Sequence, residues 1–103
     1  MLTEMFPPQE QYGLTNQLRR ASVSVPSNIA EGSARNSLKE FIRFCYISLG
    51  SLSEIETQTI IACELDFANR EYFDKILKQI ERIRKKLLNF IKHLKIKGTN
   101  NAR

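Results

Sequence analysis

The sequence predicts an all-α antiparallel helix bundle folded as a single domain over residues 1–103, and three observations predict it. The chain's 103 residues are enough for one hydrophobic core and too few for two. Apolar residues recur at steps of three and four along three long stretches, which is the helical period, and no stretch keeps the alternation of a half-buried strand. Short polar segments separate those stretches, the arrangement of up-down bundles. The predicted helices cover about 8–34, 37–65 and 70–97.

The first helix opens at Pro7-Pro8, where the missing N–H groups would lack partners in any case. Leu14, Leu18, Ala21, Val25, Asn28 and Gly32 then form a narrow stripe of mostly small residues, which lets neighbouring backbones approach closely. Pro26 removes the hydrogen bond to the Ser22 carbonyl and disfavours helical geometry at Val25. The stripe keeps its phase across the proline, so the expectation is a helix that kinks and continues. Gly32 and Ser33 end it.

Ser37-Leu-Lys-Glu40 reads as a capping box, with Asn36 a competing cap. The helix it opens carries Leu38, Phe41, Ile42, Cys45, Leu49, Leu52, Ile60 and Cys63 on one face, widened by Phe44 and Ile55, while Ile47 and Ile61 lie off that face. A helix apolar on more than one side is central or is covered by another subunit. Glu56 interrupts the stripe and needs a partner, for which Arg19 or Arg20 is expected. Cys45 and Cys63 lie on this one helix about 27 Å apart at the helical rise, beyond disulfide reach. They are read as small buried apolar side chains.

Asn69 caps the last helix. Phe73, Ile76, Ile80, Ile83, Leu87, Phe90 and Leu94 alternate steps of three and four without a miss, the pattern of bundle packing. Leu77 and Ile91 widen the seam. Gly98 is expected to end the helix, leaving TNNAR as a polar tail.

The net charge of +5 is unevenly placed. Residues 1–74 carry six basic and ten acidic side chains, whereas residues 75–97 carry nine basic ones against Glu81 alone. Such asymmetry points to a polyanionic partner, or else to a solvated helix face. Little in the chain suggests catalysis. His93 sits among lysines with no acid at helical spacing to orient it, and no serine has an evident base. No metal-ligand spacing and no glycine-rich phosphate loop occur, so no enzyme activity, cofactor or metal is expected. No segment has the length and apolarity of a membrane span, and MLTEMFPPQE lacks the features of a signal peptide, so the expected compartment is the cytoplasm.

FPPQEQYGL, QLRRASVSVPSNIAEGSAR and EFIRFCYISLGSLSEIETQ resemble the successive signatures of the four-helix-bundle proteins encoded in bacterial 23S ribosomal RNA intervening sequences. That family is in turn similar to the accessory variability determinant of diversity-generating retroelements. The resemblance spans roughly residues 6–95. It implies a homo-oligomeric ring, usually a pentamer, with a basic surface suited to nucleic acid and no enzymatic activity. The motif positions it carries over are Gln17, Arg19, Arg20, Pro26, Asn28, Glu31, Gly32, Arg35, Phe44, Gly50, Ser51 and Glu54. Family members usually begin with a further amphipathic helix before the Phe-Pro motif. That first helix is expected to be missing or shortened here: either the start is misplaced or truncated, or a partner chain fills the vacant groove.

The expected function is therefore non-catalytic binding of RNA or another nucleic acid through Arg82, Lys85, Lys86 and Lys92, with Arg35, Lys39 and Arg43 as a second patch. Arg19 and Arg20 are assigned to structure, pairing with Glu31 or Glu56. The alternative is a protein–protein adaptor ring that docks a larger enzyme such as a reverse transcriptase.

Overall fold

The computed structural model describes residues 16–67 and 69–101. They form three helices, α1 (Asn16–Ser33), α2 (Leu38–Glu64) and α3 (Arg70–Asn101), with no strand among the described residues. The expected helical residues 8–15, Leu14 among them, lie outside the described part. Packing runs α1 on α2 and α2 on α3. Contacts that rise along one helix fall along the next: Gln17 meets Gln58 and Ser24 meets Ser51, and Glu56 meets Arg84 while Tyr46 meets Lys95. Both pairs are thus antiparallel, as an up-down bundle requires.

The helix ends follow local chemistry. Ser37 caps α2 by accepting from the Glu40 N–H at 3.2 Å, while the Glu40 carboxylate turns to Arg43. Asn69 Oδ1 accepts from the Tyr72 N–H at 2.8 Å and caps α3. α2 stops in a Schellman arrangement, with Phe67 N–H donating to Ala62 and Asp66 N–H to Cys63. Asp66 there has a left-handed φ of 56°, which a short polar side chain tolerates.

α1 continues through Pro26, as the phase of its stripe predicts. The end of α3 departs from the sequence reading. α3 does not stop at Gly98 but continues to Asn101. Gly98 lies against α2's first residue, where an added Cβ would sit 2.8 Å from Leu38 Cδ2. Thr99 Oγ1 also donates to the Lys95 carbonyl, holding the added turn.

The core lies in two clusters along α2. One joins Leu18, Ala62 and Phe73, with Ile55, Cys63 and Phe67 against it. The other joins Cys45, Leu87, Ile91 and Leu94, with Ile29, Leu38, Phe41, Ile42 and Leu49. Cys45 is fully buried, and burial pushes its thiol above the ordinary value. The expected α3 heptad divides in two. Phe73, Ile80, Leu87 and Leu94 are buried, whereas Ile83 and Phe90 remain 44% and 37% exposed. Ile60 of the α2 stripe is likewise exposed, together with Ile47 and Ile61.

At Gly32 α1 lies close against α2. A Cβ there would lie 2.8 Å from Phe44 Cβ and 3.0 Å from Phe41 Cδ1. At Gly50, by contrast, an added Cβ meets nothing within 4 Å. Gly32→Ala is expected to lose about 1–2 kcal/mol, overpacking less the helix-propensity gain, whereas Gly50→Ala gains about 0.5–1 kcal/mol. Urea unfolding of the two variants checks the opposite signs.

Candidate nucleic-acid interface

The interface begins with one ion-pair network that sorts the cations of α3. Arg84 donates through two nitrogens to Glu56, at 2.9 and 3.2 Å, and to Glu81 at 2.6 Å. These bonds raise the guanidinium above its ordinary value, the Glu56 bond foremost. Glu81 is the single acid between residues 75 and 97, and Arg84 occupies it. Arg82, Lys85, Lys86 and Lys92 are exposed and have no carboxylate partner among the described residues. From Arg82 to Lys97 the helix carries no acidic side chain at all.

The same network corrects the expected partner of Glu56. It faces α3, not α1, and its side chain is about one-third exposed (32%) rather than fully buried. Arg19 and Arg20 are exposed and make no ion pair among the described residues, so they pair with neither Glu31 nor Glu56. Glu31 is instead held by Arg35 at 2.7 Å, one helical turn away.

The second expected patch is mostly occupied by local pairing. Arg35 pairs with Glu31 and lies 5.3 Å from the centre of the Phe44 ring. Arg43 pairs with Glu40 at 2.8 Å and lies 4.6 Å from that same ring. The donation from Arg43 holds the exposed Glu40 carboxyl below its ordinary value. Two guanidiniums sharing one aromatic ring tie the α1–α2 turn together through cation–π attraction. Lys39 is exposed beside them without a described partner. Farther along α2, Lys95 donates to Tyr46 Oη at 2.6 Å and lies 5.1 Å from the tyrosine ring.

Several other motif positions line the α1–α2 seam. Ser24 and Ser51 hydroxyls meet at 2.8 Å, and Asn28 Nδ2 donates to both the Ser24 carbonyl and its hydroxyl. Ser48 Oγ donates to the Val25 carbonyl, next to Pro26. Gln58 Nε2 donates to Gln17 at 3.0 Å and more weakly to Glu54 at 3.5 Å, leaving its own buried oxygen without a partner. Sequence reasoning missed Ser48, Gln58, Thr59 and Arg84. Ser48 had a signal: it lies three residues after Cys45 and four before Leu52, on the apolar stripe. Arg84 had none, because only tertiary packing brings it to Glu56.

Among the described residues no group of three His, Cys, Asp or Glu side chains is placed to hold a metal ion. Cys63 lines a recess of about 230 Å³ with Ile60, Glu64, Arg70, Asp74 and Leu77, where no imidazole is present to act as a base. No helix among the described residues is long and apolar enough to cross a membrane.

Fold and surface together define a small all-α bundle whose last helix presents exposed cations with no carboxylate partner among the described residues. The sequence profile of the 23S rRNA-intervening sequence proteins matches residues 1–89, and the chain belongs to that family. Among solved structures it is similar to a protein of unknown function from the S23 ribosomal protein family of Bacteroides thetaiotaomicron. The two share 26% identity with a TM-score of 0.76, over 82% of this chain and 79% of the other. No curated protein matches the chain. Neither the family description nor that of the structural relative names an enzymatic activity.

The Arg84–Glu56 assignment is open to a double-mutant cycle. Arg84→Met and Glu56→Gln are expected to couple by about 1 kcal/mol, since the pair is bidentate but partly solvated. A cycle between Glu56 and Arg20 is expected to give no coupling. Urea denaturation of the single and double variants provides both values.

Proposed function

We propose that the protein is a non-catalytic, cytoplasmic RNA-binding bundle that works as a homo-oligomer and grips phosphate through the outward side of α3. The observation that carries this reading is the set of exposed cations Arg82, Lys85, Lys86 and Lys92, without a carboxylate partner among the described residues, on a stretch with no acid from Arg82 to Lys97. Phosphate contacts of this type give affinity and register without reading sequence. Lys39 adds to the charge at the α1–α2 turn, whereas Arg35 and Arg43 are committed first to their carboxylates.

Oligomerisation is supported by exposed apolar side chains on the side of α2 that faces away from α1 and α3, Ile47 and Ile61 in particular. Repetition on a ring, a pentamer by the family resemblance, multiplies weak phosphate contacts, because tethered sites act as a high effective concentration. The adaptor reading is kept alongside for one specific reason: Ile83, Leu88, Phe90 and Ile96 all stay exposed on α3.

Arg82, Lys85 and Lys86 changed together to Glu are expected to abolish binding of a single-stranded RNA, with helicity and oligomer mass unchanged. For the unaltered chain, log affinity is expected to fall with log salt with a slope of about −0.7 per phosphate neutralised. Fluorescence anisotropy across a salt series measures both. If the triple variant keeps the original affinity and slope, the cations are merely solvated and the adaptor reading replaces this one.

A further inference from the structure

Tyr46 of α2 is 45% exposed, belongs to neither core cluster and has Lys95 of α3 as its partner. We propose that its ring is a stacking platform for an unpaired base of single-stranded RNA, with Lys95 and Lys92 taking the adjoining phosphates. This inference rests on the RNA-binding reading. It adds what cations by themselves do not supply, a contact to the base and a choice of single over double strand.

The position of the lysine leaves the ring open. Lys95 Nζ is 2.6 Å from Tyr46 Oη but 5.1 Å from the ring centre, so the ammonium sits off the hydroxyl end rather than above the ring. That bond orients the phenol and uses one of the three ammonium donors, which leaves two for a phosphate.

Gly50 keeps the space beside the ring clear. A helical side chain covers the turn before its own Cα, so a side chain at position 50 would lie over the turn of Tyr46. Glycine has none, and a Cβ built there meets nothing within 4 Å. Packing therefore gives no reason for glycine at this motif position, where it weakens the helix, whereas access to the ring does.

Charge around the ring suits a phosphate strand. No acidic residue lies within one turn of Tyr46 on α2 or of Lys95 on α3. Lys92 stands one turn from Lys95, and Lys85 stands two turns, about 10 Å, before Lys92. A flexible strand can follow this row and turn a base onto Tyr46. Stacking of that kind is the sequence-tolerant contact that single-strand binders add to a basic surface. In a duplex the bases are already paired and stacked, so a duplex reaches the cations and not the ring.

The test uses the full chain and three labelled probes of about 12 nucleotides: an RNA strand, its duplex, and a strand of abasic ribose-phosphate units. Fluorescence anisotropy is expected to show the RNA strand bound about tenfold more tightly than the abasic one. Tyr46→Leu, at an exposed position and so compatible with the fold, is expected to bring those two affinities to parity. The ratio of single-strand to duplex affinity should fall by the same factor. Gly50→Leu, which fills the open space, should act in the same direction. Tyr46→Phe keeps the ring but loses the bond to Lys95, and it should retain the preference for bases. No salt-dependent binding of any probe overturns the RNA reading and this proposal with it. Salt-dependent binding with no preference for the strand that carries bases leaves the RNA reading standing and overturns this proposal alone. A preference that survives Tyr46→Leu overturns it too, as does loss of the preference in Tyr46→Phe, which would make Tyr46 only a clasp between α2 and α3. A drop in oligomer mass in Tyr46→Leu makes the ring a contact between copies and likewise overturns it.

Discussion

Helix α2 is the constraint on which everything else in the structure depends. α1 packs on it from one side and α3 from another, and no comparable packing joins α1 to α3. Its two contact surfaces are built by different physics. Toward α3 it presents Cys45 and Leu49, with Phe41 edge-on to Phe90 at 5.5 Å between ring centres. Toward α1 it presents Ser48, Ser51 and Gln58, which take hydrogen bonds across the seam. A polar seam of that kind tolerates close backbones only if small residues meet, and at Gly32 an added Cβ would lie 2.8 Å from Phe44 Cβ. The serine and asparagine bonds then offset the desolvation that such burial costs.

Because α2 does the holding, the outward halves of α1 and α3 are left with other roles. The α3 heptad shows this plainly: the Phe73, Ile80, Leu87, Leu94 row is spent on the core, whereas Ile83 stays 44% exposed and Phe90, with one edge against Phe41, stays 37% exposed. The single strong ion-pair network also lies on the α2–α3 contact, where Arg84 collects both Glu56 and Glu81. Its effect reaches the surface, since it leaves Arg82, Lys85 and Lys86 without a carboxylate partner among the described residues. One side of α3 thus combines charge and exposed apolar surface, a pairing suited to partners and poorly suited to plain solvent exposure.

Much of this was legible in the sequence. The helical period located all three helices, and Ser37 and Asn69 marked two starts correctly. The family signatures were legible too, and the profile match over residues 1–89 agrees with them. What was not legible depended on which helix faces which. Glu56 was identified as needing a partner, but Arg19, Arg20 and Arg84 all suited it chemically, and only packing selects Arg84. Gly98 carried a stop signal that contact with Leu38 overrides. Sequence spacing also did not show that the exposed guanidiniums of Arg35 and Arg43 both lie over Phe44. The heptad on α3 likewise predicted a full seam, whereas the structure covers only half of it.

The central claim, that α2 alone carries the fold while α1 and α3 each depend on it, is most directly tested by native-state hydrogen exchange resolved by residue. The account predicts that α2 amides between Cys45 and Thr59 exchange slowest, only through global unfolding. Amides of α1 and α3 should exchange earlier, through opening of one helix away from α2. Protection along α3 from Ile80 to Leu94 equal to or greater than that of α2 would contradict it.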